Sequence, residues 1–155
     1  MIIASVEGWV EAPLARYVKE SRAQMALLLH RSGQVVAQAG FTRAVEVMTA
    51  SALAAAVNAT SEELGRQLGG ERLHEVHHTG ARKQFHLAPV GTGRAAYICF
   101  TVFDAESSLG LVRVYFAELC RELMAAAPSK SPTPALGLDF ERDLNRNLTA
   151  LFGRA

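Results

Sequence analysis

The run from His74 to His78 is the first candidate for chemistry in this sequence. It reads His-Glu-Val-His-His and matches the H-E-x-x-H motif of zinc metalloproteases letter for letter. That motif needs a helix, because residues four apart then lie about 5–6 Å from each other on one face and can share a metal ion. Here Gly69-Gly70 precedes the run and Thr79-Gly80 follows it, which is typical of a short strand between turns. On a strand His74 and His78 would lie about 13 Å apart, at about 3.3 Å per residue, so we expect no metal site.

A weaker alternative is that the histidines of this region form a titratable cluster. His74, His77, His78 and His86 could cluster across a hairpin and titrate near neutral pH. A solvated polar strand explains the same residues more simply and is the favoured interpretation.

We recognise no other catalytic motif in the sequence. Gly91-Thr92-Gly93 follows a predicted strand, but another strand comes next, so it is not a dinucleotide-binding fingerprint. The sequence has no Walker A motif, and no serine or cysteine stands in a known nucleophile context. Cys99 and Cys120 fall in apolar or helical patterns and are expected to be buried thiols. We therefore expect a non-enzymatic protein without a cofactor.

Length, composition and charge narrow the class of protein. The 155 residues correspond to about one domain, half of them are apolar and a fifth are charged. A formal net charge of +1 argues against a protein that binds nucleic acid or membrane surfaces by electrostatics. The N-terminal run MIIASVEGWV lacks the features of a signal peptide, so we expect a cytoplasmic protein without membrane insertion.

The stretch from Thr42 to Gly70 dominates the predicted architecture. Thr42 is a candidate N-cap, the glycine pair is a candidate C-cap, and the residues between them contain no proline. Two stripes run along this predicted helix. The larger side chains are expected to cover a sheet: Leu53, Val57, Leu64 and Leu68. The second stripe, mostly alanines, is expected to contact the same helix of a second copy: Met48, Ala52, Ala55, Ala56 and Ala59. The alternative is an ordinary central helix buried on all sides.

The remaining pattern predicts an α+β domain with one five-stranded antiparallel sheet. Helices are expected over about 11–22 and from Ser107 or Ser108 to about Met124, and strands over 24–30, 34–38, 71–78, 82–90 and 94–103. Three prolines in residues 128–134 end the domain, which gives a domain over 1–127, a Pro-rich linker over 128–137 and an amphipathic tail helix over 138–155. The apolar stripe of the tail comprises Phe140, Leu144, Leu148, Leu151 and Phe152.

At this point the sequence resembles the roadblock / dynein light chain family over roughly Trp9 to Ala126. The specific parts are the RSGQVVA turn and the SSLGLVRV entry to the last helix. The N-terminal helix, and the linker followed by LDFERDLNRNLTALF, further resemble the bacterial MglB branch. The resemblance implies a roadblock-like α/β/α sandwich and a homodimer built on the long helix.

The resemblance also implies a function. Proteins of the MglB branch stimulate GTP hydrolysis by the Ras-like small GTPase MglA, in cell polarity and surface motility, and are thought to remodel its switch loops without an arginine finger. Arg31, Arg82 and Arg113 are therefore expected to be ordinary surface residues. The alternative is a dimeric roadblock-type scaffold in a signalling or motility complex with no effect on hydrolysis. The tail is a candidate second docking element, either on its own domain or on the partner.

Overall fold

The computed structural model describes residues 8–40, 44–70, 75–91, 96–126, 145–151 and 153. It consists of a five-stranded sheet with helices on both faces. The helices are α1 (Gly8–Ser21), α2 (Ala44–Gln67) and α3 (Leu109–Ala126), and residues 145–151 form a further helical segment. The strands are β1 (Met25–His30), β2 (Val35–Gly40), β3 (Val76–Thr79), β4 (Gln84–Gly91) and β5 (Ala96–Phe103).

All neighbouring strands are antiparallel, in the order β2-β1-β5-β4-β3. A hairpin of β1 and β2 and a meander of β3, β4 and β5 join where β1 pairs with β5. The predicted α+β class and five-stranded antiparallel sheet are confirmed. The first strand thus lies next to the last, at the centre of the sheet. There the apolar run Ala26 to Leu29 is fully buried.

One face of the sheet is covered by α1 and α3. Leu14 and Tyr17 of α1 and Leu119 of α3 belong to a single buried cluster with the side chains of β1 and β5. The predicted N-cap of α3 is present, because the Ser108 hydroxyl accepts a hydrogen bond from the Leu111 amide at 3.2 Å. The neighbouring Ser107 hydroxyl donates to the carbonyl of Ser21. These contacts fix the start of α3 against the end of α1.

The opposite face of the sheet is covered by α2, and here the predicted orientation of the helix is wrong. Leu53, Leu64 and Leu68 were expected to cover the sheet, yet they are 62%, 51% and 67% exposed. The residues that face the sheet are mostly small: Val47, Ser51, Ala54, Ala55 and Asn58 are buried, and Val57 is half-buried.

Close packing explains that inversion. The β1–β2 turn passes directly over α2, and a Cβ added to Gly33 would lie 3.4 Å from the Ala55 Cβ and 3.5 Å from the Ser51 carbonyl oxygen. Only small side chains fit so close an approach between a helix and a turn. Ser51 satisfies its hydroxyl within the helix by donating to the Met48 carbonyl at 2.9 Å. The leucines are therefore left to the outside.

The glycine pair ends α2 as predicted. Gly69 and Gly70 both have positive φ, at 111° and 81°. The Gly70 amide donates to the Gly65 carbonyl at 3.2 Å, and the Gly69 amide donates to the Arg66 carbonyl at 3.4 Å, which is the hydrogen-bond pattern of a Schellman C-cap. The predicted N-cap, Thr42, lies outside the described residues.

Candidate functional site

The outward face of α2 carries a long uncharged stretch. No charged residue occurs from Val47 to Ser61. Met48 is 64% exposed and Leu53 is 62% exposed, and Ala52, Ala56 and Ala59 lie exposed on the same side of the helix. Thr49 and Thr60 are also exposed on this side, so the strip is uncharged and mostly apolar. Such a strip on a protein surface is a candidate contact surface.

Four of the five predicted contact residues on this helix are exposed. The exception is Ala55, which is 9% exposed and packs against the β1–β2 turn at Gly33. Sequence reasoning also left Leu53 out of this surface, although Leu53 adds more exposed apolar area than any of the alanines. The period of the helix alone could not say which stripe faces the sheet, because both stripes are apolar.

The sheet beside α2 extends this apolar surface. Met25, Phe85 and Phe100 point to the same face as α2 but are only half-buried beside it. The aromatic rings on this face are in contact with one another. The ring centroids of Phe85 and Phe100 lie 5.3 Å apart, and the His78 ring stacks on Phe85 with a centroid distance of 5.1 Å. The single helix therefore does not fully cover its face of the sheet.

Charges gather at the C-terminal end of α2. Glu62 pairs with Arg31 from the β1–β2 turn at 2.8 Å, and Glu63 pairs with Arg66 one turn further along. The pKa of the Glu63 carboxyl is lowered, chiefly because Gln67 donates a hydrogen bond to it. These exposed pairs contribute little to stability, and they leave the apolar strip bounded by charge at one end.

The histidines separate onto two faces of the hairpin. His77 pairs with His86 across β3 and β4, while His78 pairs with Phe85 on the other face. Across the strands His77 shares a hydrogen bond of 2.8 Å with Gln84. The fourth histidine of the proposed cluster, His74, lies outside the described residues. Within the described ranges no group of three or more potential ligands is arranged to hold a metal ion.

A polar cluster that sequence reasoning missed joins β3, β4 and α3. Glu75 Oε2 lies 2.8 Å from His86 Nε2, and Glu75 Oε1 accepts a hydrogen bond from Arg113 Nη2. Burial lowers the pKa of His86 more than Glu75 raises it. The hydrogen bond from Arg113 lowers the pKa of Glu75. No sequence signal points to this group, because its members are 38 and 11 residues apart.

Both cysteines are free thiols: Cys99 is buried as expected, whereas Cys120 is half-buried. Burial raises the pKa of Cys99 to about 12 and that of Cys120 to about 11. Cys99 Sγ lies 3.8 Å from Thr101 Oγ1, which in turn bonds to Tyr17. Both shifts disfavour the thiolate, which is the nucleophilic form of cysteine, at neutral pH.

The three arginines set aside as ordinary surface residues have distinct surroundings. Arg31 and Arg113 are held in intramolecular ion pairs with Glu62 and Glu75. Arg82 is exposed between β3 and β4. None of the three lies on the outward strip of α2.

The proposed tail residues fall only partly within the described chain. Leu148 and Leu151 lie on the helical segment 145–151 and are 43% and 76% exposed. Phe140, Leu144 and Phe152 lie outside the described residues. The division into domain, linker and tail stays a prediction.

The profile of the Roadblock/LC7 domain matches residues 10–102 of this sequence. The chain belongs to the Roadblock/LC7 family. This confirms the resemblance found in the sequence. No curated protein sequence matches the chain.

Solved structures of MglB are similar to the chain over most of its length. Myxococcus xanthus MglB superposes with a TM-score of 0.70 at 25% identity, covering 78% of this chain and 96% of that protein. A structure described as MglB with tetrameric arrangement gives 0.68 at 26% identity, covering 79% and 89%. The gliding protein MglB of Thermus thermophilus gives 0.69 at 24% identity, covering 82% and 94%, which supports the fold. The chain is therefore MglB-like within its family.

In the part of the chain that the structure describes, no helix has the length and apolar character to span a bilayer. The long helix α2 is interrupted by polar residues such as Thr49, Asn58 and Thr60.

Proposed function

We propose that the protein is a homodimer whose two copies meet through the outward strip of α2. The observation that carries this proposal is the exposure of Met48 and Leu53 on an uncharged helix face. Burial of one such side chain is favourable by about 1.5–3 kcal/mol, and a twofold axis uses every contact twice. Small residues at Ala52, Ala56 and Ala59 let the two helix backbones approach closely.

The half-covered sheet supports the same arrangement. In a dimer, the partner's α2 would lie beside the first and over Phe85 and Phe100, which one helix leaves half-buried. Leu64 and Leu68, exposed near the end of α2, would lie at the edge of the contact. The charged pairs around Glu62 and Glu63 would stay in water beyond it.

We infer that the dimer regulates a Ras-like small GTPase of the MglA kind by stimulating GTP hydrolysis, in cell polarity or motility. The support is membership of the Roadblock/LC7 family together with the likeness to MglB at 25–26% identity. Since Arg31 and Arg113 are already held by Glu62 and Glu75, neither is poised as an arginine finger. The mechanism that fits is stabilisation of the GTPase's switch loops in the hydrolysis-competent arrangement.

The tail helix is proposed as a second docking element on the GTPase. Leu148 and Leu151 present apolar side chains to water on a helical segment, as expected of an amphipathic helix that docks into a groove. Deleting residues 138–155 should weaken GTPase binding without changing the dimer. Full affinity after the deletion would reject this role for the tail.

The decisive experiment measures GTP turnover by a Ras-like GTPase from the same organism, with and without this protein. We expect the wild-type protein to raise the multiple-turnover rate of GTP hydrolysis. The variant Ala56→Arg should raise this rate much less. The matched control is Ala117→Arg, the same substitution at an exposed alanine of α3. Light scattering should report a dimer for the wild type and the control, and a lower mass for Ala56→Arg.

The alternative function is a dimeric scaffold that binds its partners without changing hydrolysis. Binding of the GTPase with unchanged turnover would favour the scaffold. Absence of any binding would reject both functions while leaving the dimer proposal intact. A monomeric wild-type protein would remove the basis of the dimer proposal.

A further inference from the structure

The side chain of His86 is buried in an unusual way for a histidine. It is 1% exposed, and its Nε2 lies 2.8 Å from Glu75 Oε2. Its other ring nitrogen, Nδ1, is buried without a hydrogen-bond partner in the described chain. The Phe116 ring packs against the imidazole in a T-shaped arrangement, with the ring centroids 5.3 Å apart and the planes at 68°. The neutral tautomer with the proton on Nε2 suits this pocket, because it leaves only a lone pair unpaired.

The Glu75 side chain bonds to two elements at once. One carboxylate oxygen takes the His86 hydrogen bond from β4, and the other takes the Arg113 hydrogen bond from α3. Glu75 immediately precedes Val76, the first residue of β3. Since β3 has four residues and pairs with β4 alone among the described strands, the Glu75 side chain adds a link from the start of β3 to the helical layer.

We propose that Glu75, His86 and Arg113 form a proton-sensitive clasp, which fixes the start of β3 to α3 at neutral pH and opens when His86 takes up a proton. A second ring proton, on Nδ1, would lie in the apolar pocket beside Phe116 with no acceptor among the described residues. The positive charge would also face the guanidinium of Arg113. The imidazole then gains by leaving the pocket for water, and its bond to Glu75 is lost with it.

The groups around His86 favour the neutral form on balance. From the β3 side it faces Glu75, which favours the charged ring, and His77, which opposes it. From α3 it faces Arg113, which opposes it, and its neighbour across β5 is the uncharged Thr101. Behind Phe116 lies Tyr17 of α1, whose raised pKa keeps it neutral. Burial outweighs the attraction of Glu75, so the ring titrates below its ordinary pKa.

The first test follows the imidazole signals by NMR between pH 8 and pH 4.5 on the full-length protein. We expect His86 to titrate below its ordinary pKa in the wild type and closer to it in Arg113→Gln, which removes an opposing charge. Arg121→Gln, an exposed arginine on the same helix, should leave the His86 titration unchanged. A His86 pKa above its ordinary value, or equal shifts in both variants, would overturn the clasp.

The second test measures amide hydrogen exchange of β3, with each rate divided by the intrinsic rate at the same pH. Protection of Val76 to Thr79 should fall several-fold between pH 7.5 and pH 5.5, while protection of β1 stays constant. His86→Gln keeps a donor for Glu75 but cannot titrate in this range, so its β3 protection should not change with pH. Constant wild-type protection, or protection that rises in acid, would contradict the proposal. Should His86→Gln fail to fold, the comparison of Arg113→Gln with Arg121→Gln decides the question.

Discussion

The Tyr17 hydroxyl lies 2.8 Å from the Thr101 hydroxyl, and both side chains are buried between α1 and β5. This bond joins the first helix to the last strand across 84 residues of sequence. It satisfies the two hydroxyls in the middle of a mostly apolar layer. The helix that precedes the sheet is therefore held to it by a specific contact as well as by its apolar face.

Tyr17→Phe should destabilise the fold without altering it. The variant keeps the ring and its edge contact with Phe116, but it removes the Tyr17 hydroxyl at 2.8 Å from the buried Thr101 hydroxyl, which retains the weaker contact with the Cys99 sulfur at 3.8 Å. We expect the free energy of unfolding to fall by about 1–3 kcal/mol in urea denaturation. Tyr115→Phe, at a half-buried tyrosine on α3, is the control and should change it by less than about 0.5 kcal/mol. Equal losses in the two variants would argue against a specific role for the Tyr17 bond.

Gly40→Ala should destabilise the sheet strongly. Gly40 ends β2 with φ at +91°, and a Cβ there would lie 2.2 Å from the Gln24 carbonyl oxygen. The backbone must shift to accept a methyl group, so we expect a loss above about 2 kcal/mol or failure to fold. Gly110→Ala is the matched control, because a Cβ at this helical glycine meets nothing within 4 Å. Thermal unfolding should show an unchanged or higher midpoint for the control.

Leu53→Asp distinguishes the two orientations of α2. If Leu53 covered the sheet, the substitution would bury a charge and unfold the protein. Since the side chain is 62% exposed, we expect a folded protein whose circular dichroism matches the wild type. If the proposed dimer forms, the same variant should dissociate at least about tenfold more readily in sedimentation experiments. An unfolded variant would contradict the orientation of the helix.

Acid should reduce stability in two separate pH windows. The folded pKa of His86 is below its ordinary 6.5, so the unfolded chain binds more protons and stability falls as the pH drops below about 6.5. The folded pKa of Glu75 is below its ordinary 4.5, so its contribution is lost only as the pH drops further. Urea denaturation from pH 8 to pH 4 should therefore show the first decline in the wild type and not in His86→Gln. A His77→Gln variant should retain it.

The thiols should react slowly in the native protein. Because burial raises the pKa of Cys99 to about 12 and that of Cys120 to about 11, less than about one per cent of either is thiolate at pH 8. A disulfide reagent such as DTNB should label neither quickly until urea is added. Half-buried Cys120 should be labelled before Cys99. Rapid native labelling of Cys99 would contradict its burial.

Local patterns in the sequence predicted most of the elements correctly. The apolar run at Ala26 to Leu29 indicated a central strand, Ser108 indicated the start of α3, and the glycine pair at 69 and 70 indicated the end of α2. Each of these is a property of neighbouring residues, because caps, turns and strand alternation depend on contacts a few residues apart. The strand interpretation of the H-E-x-x-H run holds for the described part, since His77 and His78 lie on β3.

What the sequence by itself determined is the order of helices and strands, the family and the presence of a long helix with an uncharged run from Val47 to Ser61 and two apolar stripes. Only the tertiary structure decided which stripe faces the sheet, because the close approach of Gly33 to Ala55 admits small side chains and turns Leu53 outward. The tertiary structure also decided that Glu75 contacts both His86 and Arg113. Contacts between residues distant in sequence depend on how the layers pack, and a linear pattern carries no record of that packing.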